Sequence, residues 1–123
     1  MSATLGWFQI ATSDPDRTQR FYADLFGWNF APHPGSVAAG NDYRVIQTPD
    51  DTAPMGGLAA IAGDQPPHMV ASFLVEDVDA VCTKITDLGG KVEAQQKSVP
   101  GVPAFANLLD LDGNRFQVFT PPA

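Results

Sequence analysis

The sequence predicts an α+β fold built from two tandem βαβββ units, a prediction that rests on an internal repeat and on the spacing of its apolar residues. Five residues of the first half recur in the second half at a constant offset of 63 positions. They are Asp14, Asp16, Asp24, Leu25 and Gly27, matched by Asp77, Asp79, Asp87, Leu88 and Gly90. Such coincidences in register indicate a duplicated structural unit. Each copy reads as a strand, an acidic turn, a helix and a glycine stop, followed by three further strands.

The 123 residues are expected to fold as one domain, 1–123, because this length suits one continuous hydrophobic core. Within it, the first unit covers about 5–62 and the second unit about 69–121. The segment 63–68 contains Gly, Asp and two consecutive prolines, which is typical of a linker.

The first helix is marked at both ends. Asp14 stands where an N-cap belongs, and Pro15 follows it at a position whose N–H would have no partner within the helix. Asp16 adds negative charge at the positive end of the helix dipole, and Gly27 supplies a left-handed C-terminal cap. One face carries residues at spacings of three and four, and we expect it to cover the sheet. Its residues are Thr18, Phe21, Tyr22 and Leu25.

The second helix and the strands follow the same patterns. The face of the second helix is Val78, Val81, Ile85 and Leu88, and the helix ends at Gly89 and Gly90. The predicted strands are 5–12, 28–30, 43–48 and 58–62 in the first unit, and 69–75, 91–94, 104–109 and 115–120 in the second. An Asp-Gly turn at 110–114 separates the last two strands. Segments 33–40 and 48–57 are expected to be loops, with Met55, Gly56 and Gly57 forming a tight turn.

Composition excludes several classes of function. Seven basic and fourteen acidic residues give a net charge of -7, the opposite of what a phosphate backbone requires, so nucleic acid is not an expected partner. Cys82 is the only cysteine, which rules out an internal disulfide and a cysteine-based zinc site. No leader-like start and no apolar run of about 20 residues is present, so we expect a soluble cytoplasmic protein without a membrane partner. Cys82 itself is expected to be a packed, inert thiol.

The repeat, the acidic helix starts and the closing segment at 110–119 together resemble the vicinal oxygen chelate superfamily, the group of glyoxalases, bleomycin-resistance proteins and ring-cleaving dioxygenases. The resemblance spans about 5–119. It implies that the two units curl a mixed sheet into a cup, with the helices on the convex side and a ligand on the concave side. It also implies that catalytic members hold a divalent metal there, with ligands on the first strand of each unit and a carboxylate on the last strand.

The ligand positions that the resemblance implies carry unsuitable residues in this sequence. The first-strand positions are Trp7 and Val70, and the last-strand position of the second unit is Gln117. The matching position of the first unit falls near Ala60. An indole and two alkyl groups donate nothing to a cation, and a neutral amide oxygen is a weak ligand. We therefore expect no metal and no cofactor at these positions.

The two histidines are the alternative ligand candidates. His68 lies two residues before Val70, but it follows two prolines at the end of the linker, which favours a solvent-facing role. His33 lies between two prolines in a predicted loop, and an ordinary exposed residue is the favoured interpretation. Whether His68 joins a displaced metal site stays open at this point.

Strand alternation separates the residues that face the cup from those that face the helices. The predicted ligand-binding lining is Trp7, Gln9, Val70, Ser72, Gln117 and Phe119, joined by Tyr43 or Arg44 and by Phe105 or Asn107. Phe8 and Ile10 then lie under the first helix, Ala71, Phe73 and Val75 under the second, and Phe116 and Val118 behind the last strand. An aromatic lining with neutral amides suits a small organic molecule held by stacking and hydrogen bonds.

Three functions follow from this lining. The leading hypothesis is a glyoxalase- or bleomycin-resistance-like protein that binds a small organic molecule without a metal. The first alternative is a metal-dependent lyase, isomerase or dioxygenase-like enzyme with a displaced site, for example at His68. The second is a pseudoenzyme or interaction subunit whose cup is filled by its own side chains. The resemblance further implies a homodimer.

Overall fold

The structure, a computed structural model, describes residues 2–38, 40–49, 53–100 and 103–121. These ranges contain both helices and runs of consecutive strands, as the α+β prediction requires. The elements are β1 Thr4–Thr12, α1 Pro15–Phe26, β2 Asn29–Pro32, α2 Pro34–Ala38, β3 Tyr43–Gln47, β4 Gly56–Ala60, β5 His68–Leu74, α3 Val78–Asp87, β6 Lys91–Gln96, β7 Phe105–Leu109 and β8 Arg115–Phe119. No helix among these is long and apolar enough to cross a bilayer.

Contacts divide the described chain into two compact units. The first unit runs from Trp7 to Met69, and the second joins the residues up to Gly6 with those from Val70 onward. Within the first unit the strand order is β2-β3-β4-β1, with β1 parallel to β4 and the other pairs antiparallel. Within the second unit it is β6-β7-β8-β5, with β5 parallel to β8 and the other pairs antiparallel. The same order and the same pairing directions confirm the βαβββ repeat.

Helix α1 has the predicted caps. The side chain of Asp14 accepts a hydrogen bond from the backbone N–H of Arg17 at 3.2 Å, and Pro15 occupies the first turn. Gly27 ends the helix at φ 71°, and its N–H donates to the carbonyl of Ala23 at 2.9 Å. A left-handed conformation at this position is what favours glycine.

Helix α3 is capped in the same way at its start. The side chain of Asp77 accepts from the N–H of Ala80 at 3.1 Å. The helix ends at Asp87 with Leu88 as its C-cap, and Gly89 follows at a positive φ of 96°, so the predicted glycine stop lies directly after the helix. The equivalent aspartate N-caps are further evidence for the duplication.

Each unit has a core of its own between its helix and its strands. The buried residues of the first core are Ile10, Ile46 and Leu58, with Phe8, Tyr22, Trp28, Phe30 and Met55 packed against them. The buried residues of the second core are Val75, Val78, Cys82, Ala106, Leu108 and Val118, with Phe73, Val81, Ile85, Ala104 and Phe116 packed against them. The strand faces predicted to lie under the helices are therefore confirmed except at Ala71, which is exposed.

The face predicted for α1 is wrong in part. Phe21 and Leu25 are 59% and 58% exposed, whereas Tyr22 is half-buried and turns towards the core. Tyr22 stacks on Trp28 with the ring centroids 5.4 Å apart and the planes within 11°. Because these two large rings fill the space under the helix, the neighbouring apolar residues stay outside. Leu88 of the second unit, expected on the face of α3, is likewise 66% exposed.

Two predicted loops contain regular structure. Segment 33–40 includes the short helix α2, and β4 begins at Gly56 in place of the expected tight turn; residues 50–52 of the other loop lie outside the described ranges. A Cβ built on Gly56 would lie 2.6–2.8 Å from the ring of Phe8. Three atoms of the Tyr43 phenol would lie within 2.8 Å of a Cβ on Gly57. The two glycines therefore leave the room that the rings of Phe8 and Tyr43 occupy against the strand.

Candidate functional site

A chain of three hydrogen-bonded side chains lies on the face of the first unit that is turned away from its core. The indole N–H of Trp7 donates to the Tyr43 oxygen at 3.0 Å, and the Tyr43 hydroxyl donates to Oε1 of Gln9 at 3.0 Å. Trp7 and Gln9 share this face because they alternate with Phe8 along β1. The structure thus brings two predicted lining residues together through Tyr43.

Tyr43 is the centre of this chain, and its position depends on Gly57. Gln9 of β1 pairs with Gly57 of β4, and the phenol occupies the space that a side chain at Gly57 would take. Burial raises the pKa of the Tyr43 hydroxyl, although the hydrogen bond from Trp7 lowers it. The phenol therefore stays protonated near neutral pH, where it donates and accepts hydrogen bonds and does not act as a base.

His33 belongs to the same neighbourhood, so its expected role as an ordinary exposed loop residue is wrong. Its imidazole is half-buried and meets the ring of Tyr43 edge-on, with the centroids 5.9 Å apart. Nδ1 of His33 accepts from the backbone N–H of Ser36 at 3.2 Å, which caps α2. Since Nδ1 is an acceptor, the neutral ring carries its proton on Nε2. A histidine three residues before a serine is too weak a signal to have identified this cap.

The second unit carries a polar chain at the corresponding place on its sheet. The hydroxyl of Ser72 donates to Oε1 of Gln117 at 2.8 Å, and Nε2 of Gln117 donates to Oδ1 of Asn107 at 3.1 Å. The strand register places Gln117 opposite Ser72 and opposite Asn107. Asn107, one of the two alternatives for the lining, is thus the one that joins the predicted residues of this unit.

Burial separates the predicted lining residues into two groups. Val70, Ser72 and Gln117 are 6%, 0% and 8% exposed, whereas Trp7, Gln9 and Phe119 are half-buried. The Phe119 ring lies over Gly6 of the same unit, where an added Cβ would be 3.0 Å from Cζ. Ligand binding by the second unit's residues stays a prediction, because their polar atoms already satisfy one another. Of the two units, the first offers the more accessible polar face.

The implied metal-ligand positions do not fit a divalent cation. The donor-only indole of Trp7 and the alkyl group of Val70 provide no lone pair for a metal, and the amide oxygen of Gln117 already accepts from Ser72. The strand register makes Gly57, not Ala60, the first unit's counterpart of Gln117. Gly57 lies opposite Gln9 and Gln117 lies opposite Ser72, and these are the second predicted lining residues of their strands. Gly57 has no side chain at all.

No displaced metal site is found among the described residues either, since no three His, Cys, Asp or Glu side chains lie close enough together to hold an ion. His68 is the first residue of β5, and its Nδ1 lies 3.1 Å from the carbonyl oxygen of Pro66. Cys82 is buried on α3, and burial together with the charge of Asp79 raises the pKa of its thiol. A buried thiol with a raised pKa is unreactive, as expected from its place on the helix.

Arg44, the alternative to Tyr43 in the predicted lining, points to the other face of β3 because neighbours in a strand alternate. Its guanidinium donates to Asp42 at 3.0 Å, to Asp16 at 2.9 Å and to Gln19 at 2.8 Å. Hydrogen bonding to Asp42 is the main cause of its raised pKa. An open cavity of about 540 Å³ lies beside it. Since the guanidinium is engaged by three side chains, this cavity offers no free cation to an anionic ligand.

Two relatives match nearly the whole of this chain, which covers about half of one and most of the other. It is 34% identical to the protein CFP32 of Mycobacterium tuberculosis over 121 residues, which is 98% of this chain and 45% of that protein. The chain thus spans about half the length of that curated relative. It is 31% identical to a glyoxylase-like domain-containing protein of Didymella fabae over 117 residues, covering 93% of this chain and 91% of that protein.

A solved structure and a family model also match this chain. The crystal structure of methylmalonyl-CoA epimerase from Mycobacterium tuberculosis is similar with a TM-score of 0.64 and 18% identity, covering 97% of this chain and 88% of that one. At this identity the similarity shows the fold alone. The model of the glyoxalase/bleomycin resistance protein/dioxygenase superfamily matches residues 4–118. The chain therefore belongs to the glyoxalase/bleomycin resistance protein/dioxygenase superfamily.

Proposed function

We propose that this protein binds a small organic molecule without a metal ion, and that the face formed by Trp7, Tyr43 and Gln9 is the principal contact. The observation that carries the proposal is the hydrogen-bonded chain of these three side chains, which stands where the superfamily resemblance implies a metal ligand. An indole and a phenol provide flat apolar surface for stacking, and the amide provides directional hydrogen bonds.

Catalysis is not part of the proposal because none of the three side chains of this face moves a proton near neutral pH. His33 lies beside Tyr43, but its Nδ1 is held by the backbone N–H of Ser36. The pKa of the Tyr43 phenol is raised by burial, and the Gln9 amide does not titrate. Among the described residues no carboxylate is hydrogen-bonded to Trp7, Tyr43 or Gln9. The metal-dependent alternative at His68 has no supporting cluster in the described part of the chain.

A thermal-shift screen tests the proposal. Neutral aromatic compounds are added to protein stripped with a chelator and to protein supplied with zinc, manganese or nickel. A ligand that binds the folded state raises its stability by RT ln(1 + [L]/Kd), so equal binding gives equal shifts in both samples. We expect equal shifts, and shifts that occur only in the metal-loaded sample would contradict the proposal.

A variant pair localises the binding. Trp7→Leu removes the stacking surface and the N–H that Tyr43 accepts, and it should reduce the ligand-induced shift. Leu111→Ala is the matched control, since Leu111 is 76% exposed in the turn before β8. Equal loss of binding in both variants would argue against the assigned face.

Self-association into a homodimer is a second part of the proposal. Its support is the apolar surface of α1, where Phe21, Leu25 and Phe26 are each more than half exposed. An exposed apolar patch of this kind marks an interaction surface more often than a monomer surface. Light scattering on a sizing column tests it: the dimer has twice the monomer mass of 13.1 kDa, and a monomer at micromolar concentration would contradict it. The cytoplasmic location stays a prediction.

A further inference from the structure

The hydrogen bonds on the face of Trp7, Tyr43 and Gln9 run in one direction. An indole N–H only donates, so the Tyr43 oxygen is the acceptor of the bond from Trp7. The phenol has one hydrogen, and it goes to Oε1 of Gln9. The amide NH2 of Gln9 is left over, and within the described residues it has no hydrogen-bond partner.

The orientation of the Gln9 amide follows from the same assignment of donors and acceptors. With the amide reversed, its NH2 would point at a phenol oxygen that already accepts from Trp7. The phenol hydrogen would then have no acceptor among the described side chains, and a half-buried hydroxyl without an acceptor is unfavourable. The observed orientation gives an acceptor to the Trp7 N–H and to the Tyr43 hydroxyl, and it leaves the two N–H donors of Gln9 for a ligand or water.

We propose that the ligand of this face is a neutral molecule that carries a carbonyl-type oxygen beside a planar apolar group, with the oxygen accepting from the Gln9 NH2 and the plane packed on the Trp7 indole. The proposal rests on the proposed function and names its ligand class. A ligand that covers this face displaces the water that would otherwise accept a hydrogen bond from the Gln9 NH2. An unpaired N–H is less well tolerated than an acceptor with a spare lone pair, so the ligand must supply an oxygen.

Charge selects a neutral acceptor over a carboxylate. The chain has a net charge of -7, which repels anions. The three side chains of this face are uncharged, and the guanidinium of Arg44 lies on the opposite face of β3, bound to Asp42 and Asp16. Nothing on the face compensates a ligand carboxylate, whereas a ketone, aldehyde or amide oxygen needs only the two donors of Gln9.

Three probes with the same phenyl body test the inference: acetophenone offers an acceptor, aniline offers donors, and ethylbenzene offers neither. All three are neutral at pH 7.5. Each is titrated into 15N-labelled protein, and the Trp7 indole N–H and the Gln9 NH2 resonances are followed by NMR. We expect acetophenone to shift both resonances and to bind about tenfold more tightly than aniline or ethylbenzene, which corresponds to 1.4 kcal/mol.

Gln9→Glu provides the decisive comparison. The carboxylate still accepts from the Tyr43 hydroxyl, but it removes both outward donors and replaces them with acceptors. In this variant we expect acetophenone to weaken about tenfold and aniline to become the better ligand. Gln65→Glu, at an exposed turn residue, adds the same charge elsewhere and should leave the wild-type order unchanged.

Each outcome of these titrations either supports or overturns the proposed ligand class. Equal binding of aniline and acetophenone to the wild type, or an unchanged order in Gln9→Glu, would overturn the ligand class while leaving metal-independent binding intact. Failure of acetophenone to shift the Trp7 resonance would also overturn it. Failure of the proposed function is recognised separately, because it would appear as binding that requires an added metal.

Discussion

The Gly57→Ala substitution is expected to dismantle the Trp7–Tyr43–Gln9 chain without touching any of its members. A Cβ at this position would overlap three atoms of the Tyr43 phenol. The overlap is with the far end of a side chain, so the backbone of β4 need not move. The phenol must instead leave its place between Trp7 and Gln9, and both of its hydrogen bonds are lost.

The expected magnitude follows from those two bonds. Each contributes about 1 kcal/mol to the free energy of unfolding, so their loss costs about 2 kcal/mol. Replacing glycine by alanine restricts the unfolded chain and returns about 0.4–1 kcal/mol. We therefore expect a net loss of about 1–2 kcal/mol, together with a weaker ligand-induced thermal shift.

Urea denaturation of four proteins measures the effect: the wild type, Gly57→Ala, Tyr43→Ala and the double variant. In the Tyr43→Ala background the obstructing phenol is absent, so Gly57→Ala should be neutral or slightly stabilising, and the coupling energy should be about 2 kcal/mol. Gly63→Ala is the matched control, because nothing lies within 4 Å of its added Cβ. An equal loss of stability from Gly57→Ala in both backgrounds would refute the reasoning.

Three further predictions concern other parts of the chain. Burial raises the pKa of the Cys82 thiol, so its reaction with a disulfide reagent at pH 8 should be at least about tenfold slower in the native protein than in denaturant; equal rates would contradict this. Hydrogen bonds from the Asn114 side chain and N–H lower the pKa of Asp110, so this carboxylate stabilises the fold above its ordinary pKa, and the contribution is lost as the pH falls below that ordinary value and through the lowered pKa. Asp110→Ala should accordingly lose less stability on acidification than the wild type. Leu108 is fully buried, and Leu108→Ala should cost about 2–5 kcal/mol by urea denaturation, with a loss below about 1 kcal/mol arguing against its place in the core.

Local signals in the sequence were sufficient for the two ends of α1 and for the faces of β1. The start of α1 at Asp14 and Pro15 depends on hydrogen bonds between residues three apart, and its end at Gly27 depends on one backbone angle. The faces of β1 follow from strict alternation along the strand. Such features are decided by the nearest residues, so a single sequence is enough to predict them.

Features that depend on distant partners were missed. The exposure of Phe21 arises because Tyr22 and Trp28 meet under the helix, which no spacing within α1 reveals. The choice of Gly57 over Ala60 depends on the register between β1 and β4, strands separated by loops of irregular length. The role of His33 depends on a five-residue helix too short to have a recognisable period.

The central claim is that small-molecule binding by this protein needs no metal, and metal analysis tests it most directly. Protein purified without a metal affinity column is analysed for divalent ions, and the same sample is titrated with acetophenone. The account predicts far less than one ion per chain together with full binding. About one tightly held divalent ion per chain, whose removal abolishes binding, would contradict it.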